Sequence, residues 1–251
     1  MHPAALVFAN VAACFERGRP DYPRELLDWL LARGDVARGR TVVDLGAGTG
    51  KLTRLLVGHG ARVLAVEPLA EMRAELEAVV PQAESLAGSA ERIPLADGSC
   101  DLVTCGQAFH WFATSRALAE IARVLPPRAS LVLAWNVRDE RDPLQRRLGE
   151  LLSPHEETGP SYSTGQWREA LAASSDFAPD GELRAETSQV LDRPGLLDRV
   201  ASTSYVASLA GPERAELLAR VTSLVPAEGR VELAYTTEAF AYSRRDGMIV
   251  R

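Results

Sequence analysis

Val42-Val43-Asp44-Leu45-Gly46-Ala47-Gly48-Thr49-Gly50-Lys51 is a short apolar run that ends in three alternating glycines. A run of this length bounded by glycine reads as a buried strand. Leu52, Leu55 and Leu56 beyond it have helical spacing. The stretch is therefore a strand turning into a helix through a loop with few Cβ atoms, where a backbone can approach a ligand closely. Two phosphate-binding readings fail on spacing. A P-loop has Gly50-Lys51 here, but Leu45 stands at its first glycine and Leu52 where the magnesium-holding hydroxyl belongs. A dinucleotide fingerprint has Gly46 and Gly48, but Lys51 occupies the third glycine position, with Gly50 one residue early. Asp44 also puts a carboxylate where a pyrophosphate would lie.

A third reading satisfies all three features. Asp44 suits a cationic ammonium, directly or through water. Gly46 and Gly48, with Ala47 between them, let the backbone approach a ligand closely because the glycines carry no Cβ. Glu67 closes the next apolar run, Arg62–Glu67, where an acid can accept hydrogen bonds from both ribose hydroxyls. An α-amino group, a ribose and no phosphate describe S-adenosylmethionine.

Outward from the loop, two hydrophobic periods alternate. Leu26 to Leu31 is helical and closed by Gly34. Leu69 to Val80 is a helix stopped by Pro81, and Arg116 to Leu125 one stopped by Pro126 and Pro127. Glu84–Ala87, Asp101–Cys105 and Ser130–Trp135 read as further strands. This alternation predicts parallel βαβ units covered on both faces. Residues 138 to 180 are polar and rich in Pro and Gly. Strands at Leu183–Val190 and Val231–Tyr242 bracket helices at Gly195–Thr203 and Pro212–Leu224. The expected fold is α/β: a Rossmann-like, seven-stranded, mostly parallel sheet with helices on both faces and a helical cap inserted late. Residues 1–40 are expected to form N-terminal lid helices. Residues 41–137 form the cofactor-binding core, and 138–251 the last strands with the cap, all in one domain.

DLGAGTG followed by AVEP resembles the class I S-adenosylmethionine-dependent methyltransferases from about Thr41 to Trp135. GRPDYP at 18–23, AFHWF at 108–112, WNVRD at 135–139 and the Tyr-Thr-Thr-Glu strand near 235 resemble their small-molecule branch, with a type 11 methyltransferase domain of the trans-aconitate-methyltransferase-like kind. The resemblance implies a ribose contact at Glu67 and adenine packing on Pro68, Leu69 or Met72. Where relatives carry an acid after the third strand, this chain has Ser89, so adenine recognition falls to Ser89, the Ala90 backbone or Glu91. Gln107 and Tyr22 join the cofactor contacts, Tyr22 toward the methionine carboxylate or the substrate. Phe15 stands where Tyr is common.

His110 is the one histidine placed for chemistry, as a base or as a group that shapes the site. Trp111, Arg138, Tyr162 and Trp167 are candidates for the substrate pocket, with Trp135 and Asn136 beside them. Arg138 would pair with a substrate carboxylate. The expected reaction is transfer of a methyl group to O, N or C of a small metabolite or natural product. Two alternatives keep the fold: a non-methylating reaction (cyclisation or decarboxylation) or sensing at the same cofactor site, and nicotinamide oxidoreduction.

Composition narrows the partners. The 251 residues carry a net charge of −6, which argues against a nucleic-acid partner, since that needs a basic footprint. No apolar stretch is long enough to span a membrane. Val11-Ala12-Ala13-Cys14 looks like a lipoprotein box, but Asn10 interrupts the apolar run and no Lys or Arg precedes it, so a cytoplasmic protein is expected. Three cysteines without a CxxC pair, and scattered histidines, predict neither disulfide nor metal. Lys51 is the sole lysine, which lowers the weight of any single arginine as a signal. A homodimer is left open.

Overall fold

The runs that read as uninterrupted apolar strands are buried on both faces. In the computed structural model, which describes residues 3–155 and 160–246, a 3₁₀ segment (Pro3–Val11) leads into α1 (Ala12–Gly18) and α2 (Arg24–Ala32). Then come β1 (Thr41–Leu45), α3 (Thr53–Leu56), β2 (Arg62–Glu67), α4 (Ala70–Val79), β3 (Glu84–Ala87), β4 (Leu102–Gly106), α5 (Ser115–Val124) and β5 (Ser130–Arg138). The later elements are α6 (Pro143–Leu152), α7 (Gln166–Ala173), β6 (Phe177–Leu191), α8 (Arg193–Ala201), α9 (Ser204–Ser208), α10 (Gly211–Ser223) and β7 (Val231–Arg244).

The strands form one seven-stranded sheet in the order β3-β2-β1-β4-β5-β7-β6. The first five are parallel, and β7 runs antiparallel to β5 and β6. Alternate residues supply two cores. Val43, Leu45, Leu64 and Val103 pack with Leu118 and Ile121 of α5. Val42, Val63, Leu102 and Val132 pack with Leu26 and Leu30 of α2. Each such side chain contributes roughly 1.5–3 kcal/mol on burial, so a one-residue slip of a strand would disrupt both layers at once. The chain leaves β1 through β2 and β3, then returns to the opposite side of β1 for β4. That reversal opens a crevice at the C-terminal ends of β1 and β4.

The late insertion is divided. α6 and α7 lie between β5 and β6, and α8 to α10 between β6 and β7. Leu148, Leu196, Val200, Leu217 and Val221 form a third apolar cluster over the ends of β6 and β7. Asp142 caps α6 by accepting from the Leu144 N–H, and Asp192 caps α8 by accepting from Gly195. The expected helix after the glycine loop is a single turn, because Gly50 holds a left-handed φ of +90° and the loop continues to Leu52. β6 begins at Phe177, six residues before its apolar alternation, as an exposed edge strand can. Among the described residues no helix is long and apolar enough to cross a membrane, and no group of acids, histidines and cysteines is placed to hold a metal.

Candidate active site

Loops after β1 to β5 line a cavity of about 430 Å³ at the topological crevice. Its floor begins with the glycine loop. Gly46 and Gly48 have φ of +70° and +57°. The Gly46 N–H donates to the Val66 carbonyl at 2.8 Å, tying the loop to the end of β2. A Cβ on Gly46 would sit 2.8 Å from that of Ala108. A Cβ on Gly48 would meet nothing within 4 Å, so Gly48 presents bare backbone to open space. Glu67, buried at the end of β2, accepts from the Gly48 N–H at 3.0 Å and from the Leu69 N–H at 2.9 Å. Burial pushes its carboxyl up, and these two backbone donors pull it back. A carboxylate has about four acceptor positions, so two remain for a ligand. Pro68, Leu69, Met72, Ser89, Ala90 and Glu91 continue the wall.

Asp44 is fully buried yet borders the cavity. It accepts from the hydroxyls of Thr53 at 2.6 Å and Thr104 at 3.2 Å. Burial outweighs those bonds and lifts its pKa to about 6. A cation arriving beside Asp44 would relieve that penalty. Tyr22 reaches in from the N-terminal segment, its hydroxyl 3.4 Å from the Ala134 carbonyl. It fits because Gly106 is bare: a Cβ there would come within 2.8 Å of the Tyr22 oxygen. Gln107 has a left-handed φ of +57°, which is costly for a residue with a side chain. Its side-chain amide donates to the Asn136 carbonyl at 3.0 Å.

His110 faces the cavity, but as the wrong species for a base. The indole N–H of Trp135 donates to His110 Nδ1 at 3.2 Å. Indole is a donor only, so Nδ1 is unprotonated and the proton of the neutral ring sits on Nε2. Burial, then the charge of Arg19, lower its pKa to about 3. Of the two roles open to His110, base or group that shapes the site, this geometry favours the second: Nδ1 already accepts from Trp135, and Nε2 offers a donor. The expectation for Trp167 is corrected. It lies outside the cavity, packed on Trp135 at 4.5 Å between ring centres, with its N–H donating to the Tyr162 carbonyl. Trp111, Arg138 and Tyr162 do line the cavity.

The roof carries residues that the sequence did not single out. Glu16 of α1 accepts from the Thr49 hydroxyl at 2.6 Å and pairs with Lys51 at 3.3 Å and with Arg54. These bonds latch the N-terminal segment onto the far side of the glycine loop. At the other end of the segment, Gly18 lies against α8 so closely that a Cβ would be 2.3 Å from the Arg199 nitrogen. Arg17 pairs with Asp198 at 2.6 Å. Arg19 donates through Nε and Nη2 to the hydroxyl and carbonyl oxygens of Ser202. Sequence spacing gives no hint of these partners, which lie far apart in the chain.

A bare glycine turn, an acid one strand over and a strand order 3-2-1-4-5-7-6 together define a Rossmann-like enzyme of the class I methyltransferase fold. The family model for a methyltransferase domain matches residues 43–133. An uncharacterized methyltransferase of Mycobacterium tuberculosis (strain H37Rv) is 42% identical over 221 residues, 88% of this chain and 86% of that protein. An uncharacterized methyltransferase-like protein of Schizosaccharomyces pombe is 34% identical, over 93% of this chain and 94% of its own. Among solved structures, one described as a type II methyltransferase from Anaeromyxobacter dehalogenans superposes with a TM-score of 0.68 and 25% identity, covering 90% of this chain and 97% of that one. The chain belongs to the methyltransferase family.

Proposed function

We propose that this chain transfers the methyl group of S-adenosylmethionine to a small metabolite inside the described cavity. The observation that carries the reading is Glu67. Its carboxylate is fixed by two backbone N–H groups beside bare Gly48, with acceptor capacity left over. Glu67 would hold the ribose hydroxyls, and the wall from Pro68 to Met72 the adenine. Asp44, Gln107 and Tyr22 would face the amino-acid end. When bound, the cofactor supplies an electrophilic methyl group on a cationic sulfur. The chain's own part is alignment and exclusion of water by the aromatic turn Phe109–Trp111 and the roof. With His110 already hydrogen-bonded through its basic nitrogen, the cavity supports an acceptor that reacts without losing a proton to histidine. The negative net charge and the enclosing cap favour a small molecule over a nucleic acid.

Calorimetry tests the cofactor half directly. S-adenosylhomocysteine should bind the wild-type protein, and at a hundredfold excess over its dissociation constant should add about 2.7 kcal/mol of stability. Binding of NADH with none of S-adenosylhomocysteine would refute the reading.

A further inference from the structure

The charges lining the cavity are divided by location. Among the described residues its acids are Asp44 and Glu67, at the C-terminal ends of β1 and β2, and Glu91, in the loop after β3. Lys51, the lining cation on that side, is paired with Glu16 and Asp21, whereas under the roof the described lining charges are Arg19, Arg138 and Arg199. Arg199 donates through Nε to the Tyr235 hydroxyl at 3.0 Å. Among the described residues, its two terminal nitrogens make no hydrogen bond or ion pair. Nη1 of Arg19 is in the same position, since the Ser202 bonds use Nε and Nη2. Ser202 also donates to the Arg199 carbonyl, which fastens the two arginines to one helix end. Arg19 is held down to about 9 by burial, then by the charge of Arg199, with Arg138 adding to it. Arg19 lies over the Phe15 ring at 5.0 Å and Arg199 over the Tyr235 ring at 5.8 Å, but among the described residues no carboxylate pairs with either, so the anion of a ligand can balance their charge. Phe8, Leu148, Leu152, Val200 and Leu233 form the apolar part of the same region.

We propose that Arg19 and Arg199 form the anion subsite of the acceptor pocket, binding one carboxylate of an amphipathic acceptor whose apolar body lies against Leu148, Leu152 and Leu233. This rests on the reading that the acidic half of the cavity holds the cofactor. The cofactor carries a carboxylate of its own, and the test separates the two sources. Arg199 lies on α8 and bonds to β7, away from the glycine loop, which places the subsite with the acceptor.

The probes are phenylacetate and hexanoate against phenylacetamide and hexanamide, titrated by thermal shift with saturating S-adenosylhomocysteine. The acids should bind about tenfold or more tighter than their amides to the wild type. Arg199→Leu and Arg199→Gln should each abolish that preference, while S-adenosylhomocysteine affinity stays within about twofold. Arg199→Lys should retain part of the preference, because charge remains but the bidentate fork is lost. Equal binding of acid and amide to the wild type overturns the proposal. So does a drop in S-adenosylhomocysteine affinity in Arg199→Gln with methylthioadenosine unaffected, since the pair would then hold the cofactor's carboxylate. If the wild type binds no S-adenosylhomocysteine at all, the cofactor reading fails first and takes this one with it.

Discussion

The floor and the roof of the cavity are built by opposite means. The floor is backbone. Gly46 and Gly48 leave bare Cα atoms close to the strand ends, the Gly46 N–H ties the loop to Val66, and the Gly48 and Leu69 N–H groups fix Glu67. The roof is side chain. Arg17–Asp198, Arg19–Ser202 and Arg199–Tyr235 join segments far apart in sequence, and Arg19, Arg199 and Tyr235 reach the cavity from the end of α1, α8 and β7. A backbone site tolerates little change at its glycines and acid. A side-chain site can be rewritten residue by residue without touching the sheet. The floor is accordingly where the fold's common cofactor chemistry belongs, and the roof is where acceptor choice is set.

The largest expected effect breaks the floor. Glu67→Ala removes the two charge-assisted acceptors proposed for the ribose, and S-adenosylhomocysteine affinity should fall about tenfold to a hundredfold. Glu67 also pins Gly48 and Leu69, so the melting temperature should be measured alongside. An unchanged dissociation constant in a folded variant would remove Glu67 from cofactor binding. Gly18→Ala attacks the roof instead. Its new Cβ meets the α8 backbone at 2.3 Å, and overpacking of this kind costs about 1–3 kcal/mol. The prediction is a lower melting temperature and a lost acid preference, with S-adenosylhomocysteine affinity nearly unchanged. Equal losses of both ligands would show that floor and roof do not behave as separate units.

The same contrast explains what the sequence revealed. The glycine spacing, Glu67 and the alternation of periods are local signals, and they located the crevice and the parallel strands. Helix α6 carried a legible signal in Asp142-Pro143, an N-cap followed by proline at the first turn, hidden inside a segment read only as polar. The first residues of β6 had none, because after buried Phe177 the run from Pro179 to Glu182 is exposed at the sheet edge and needs no apolar alternation. Arg19 and Arg199 are brought together by the packing of Gly18 on α8 and the bonds beside it, within a chain whose basic residues are nearly all arginine. The role of His110 stayed open between base and site-shaping group because the indole that occupies its Nδ1 comes from Trp135 on β5.

Asp44 sharpens the comparison from the electrostatic side. Its folded pKa of about 6 stands above the ordinary 3.8, so the folded chain binds the proton more tightly than the unfolded one. Stability is therefore gained as pH falls through about 6 toward 4, and the charged form is a burden above that range. Asp44→Asn should stabilise the ligand-free protein at pH 8 by up to about 2–3 kcal/mol. Thr104 can keep donating to the Val43 carbonyl while its oxygen accepts from the new amide. The same variant should bind S-adenosylhomocysteine more weakly, a trade of function against stability. His110 has the opposite sign: its folded pKa of about 3 lies below the ordinary 6.5, so it removes stability as pH falls from 6.5 toward 3.

The smallest effect is a proton count, and it isolates the ammonium end of the floor. At pH 6 the free protein holds Asp44 about half protonated. An ammonium brought beside it favours the carboxylate, so binding S-adenosylhomocysteine at pH 6 should release about half a proton. Calorimetric titrations in buffers of different ionisation enthalpy read that number directly. Methylthioadenosine keeps the ribose and adenine but lacks the amino acid, and should release none. Asp44→Asn should abolish release with either ligand. Protons released equally by both ligands would move the linkage from Asp44 to Glu67, whose burial also raises its carboxyl, and would separate ribose recognition from ammonium recognition within the floor itself.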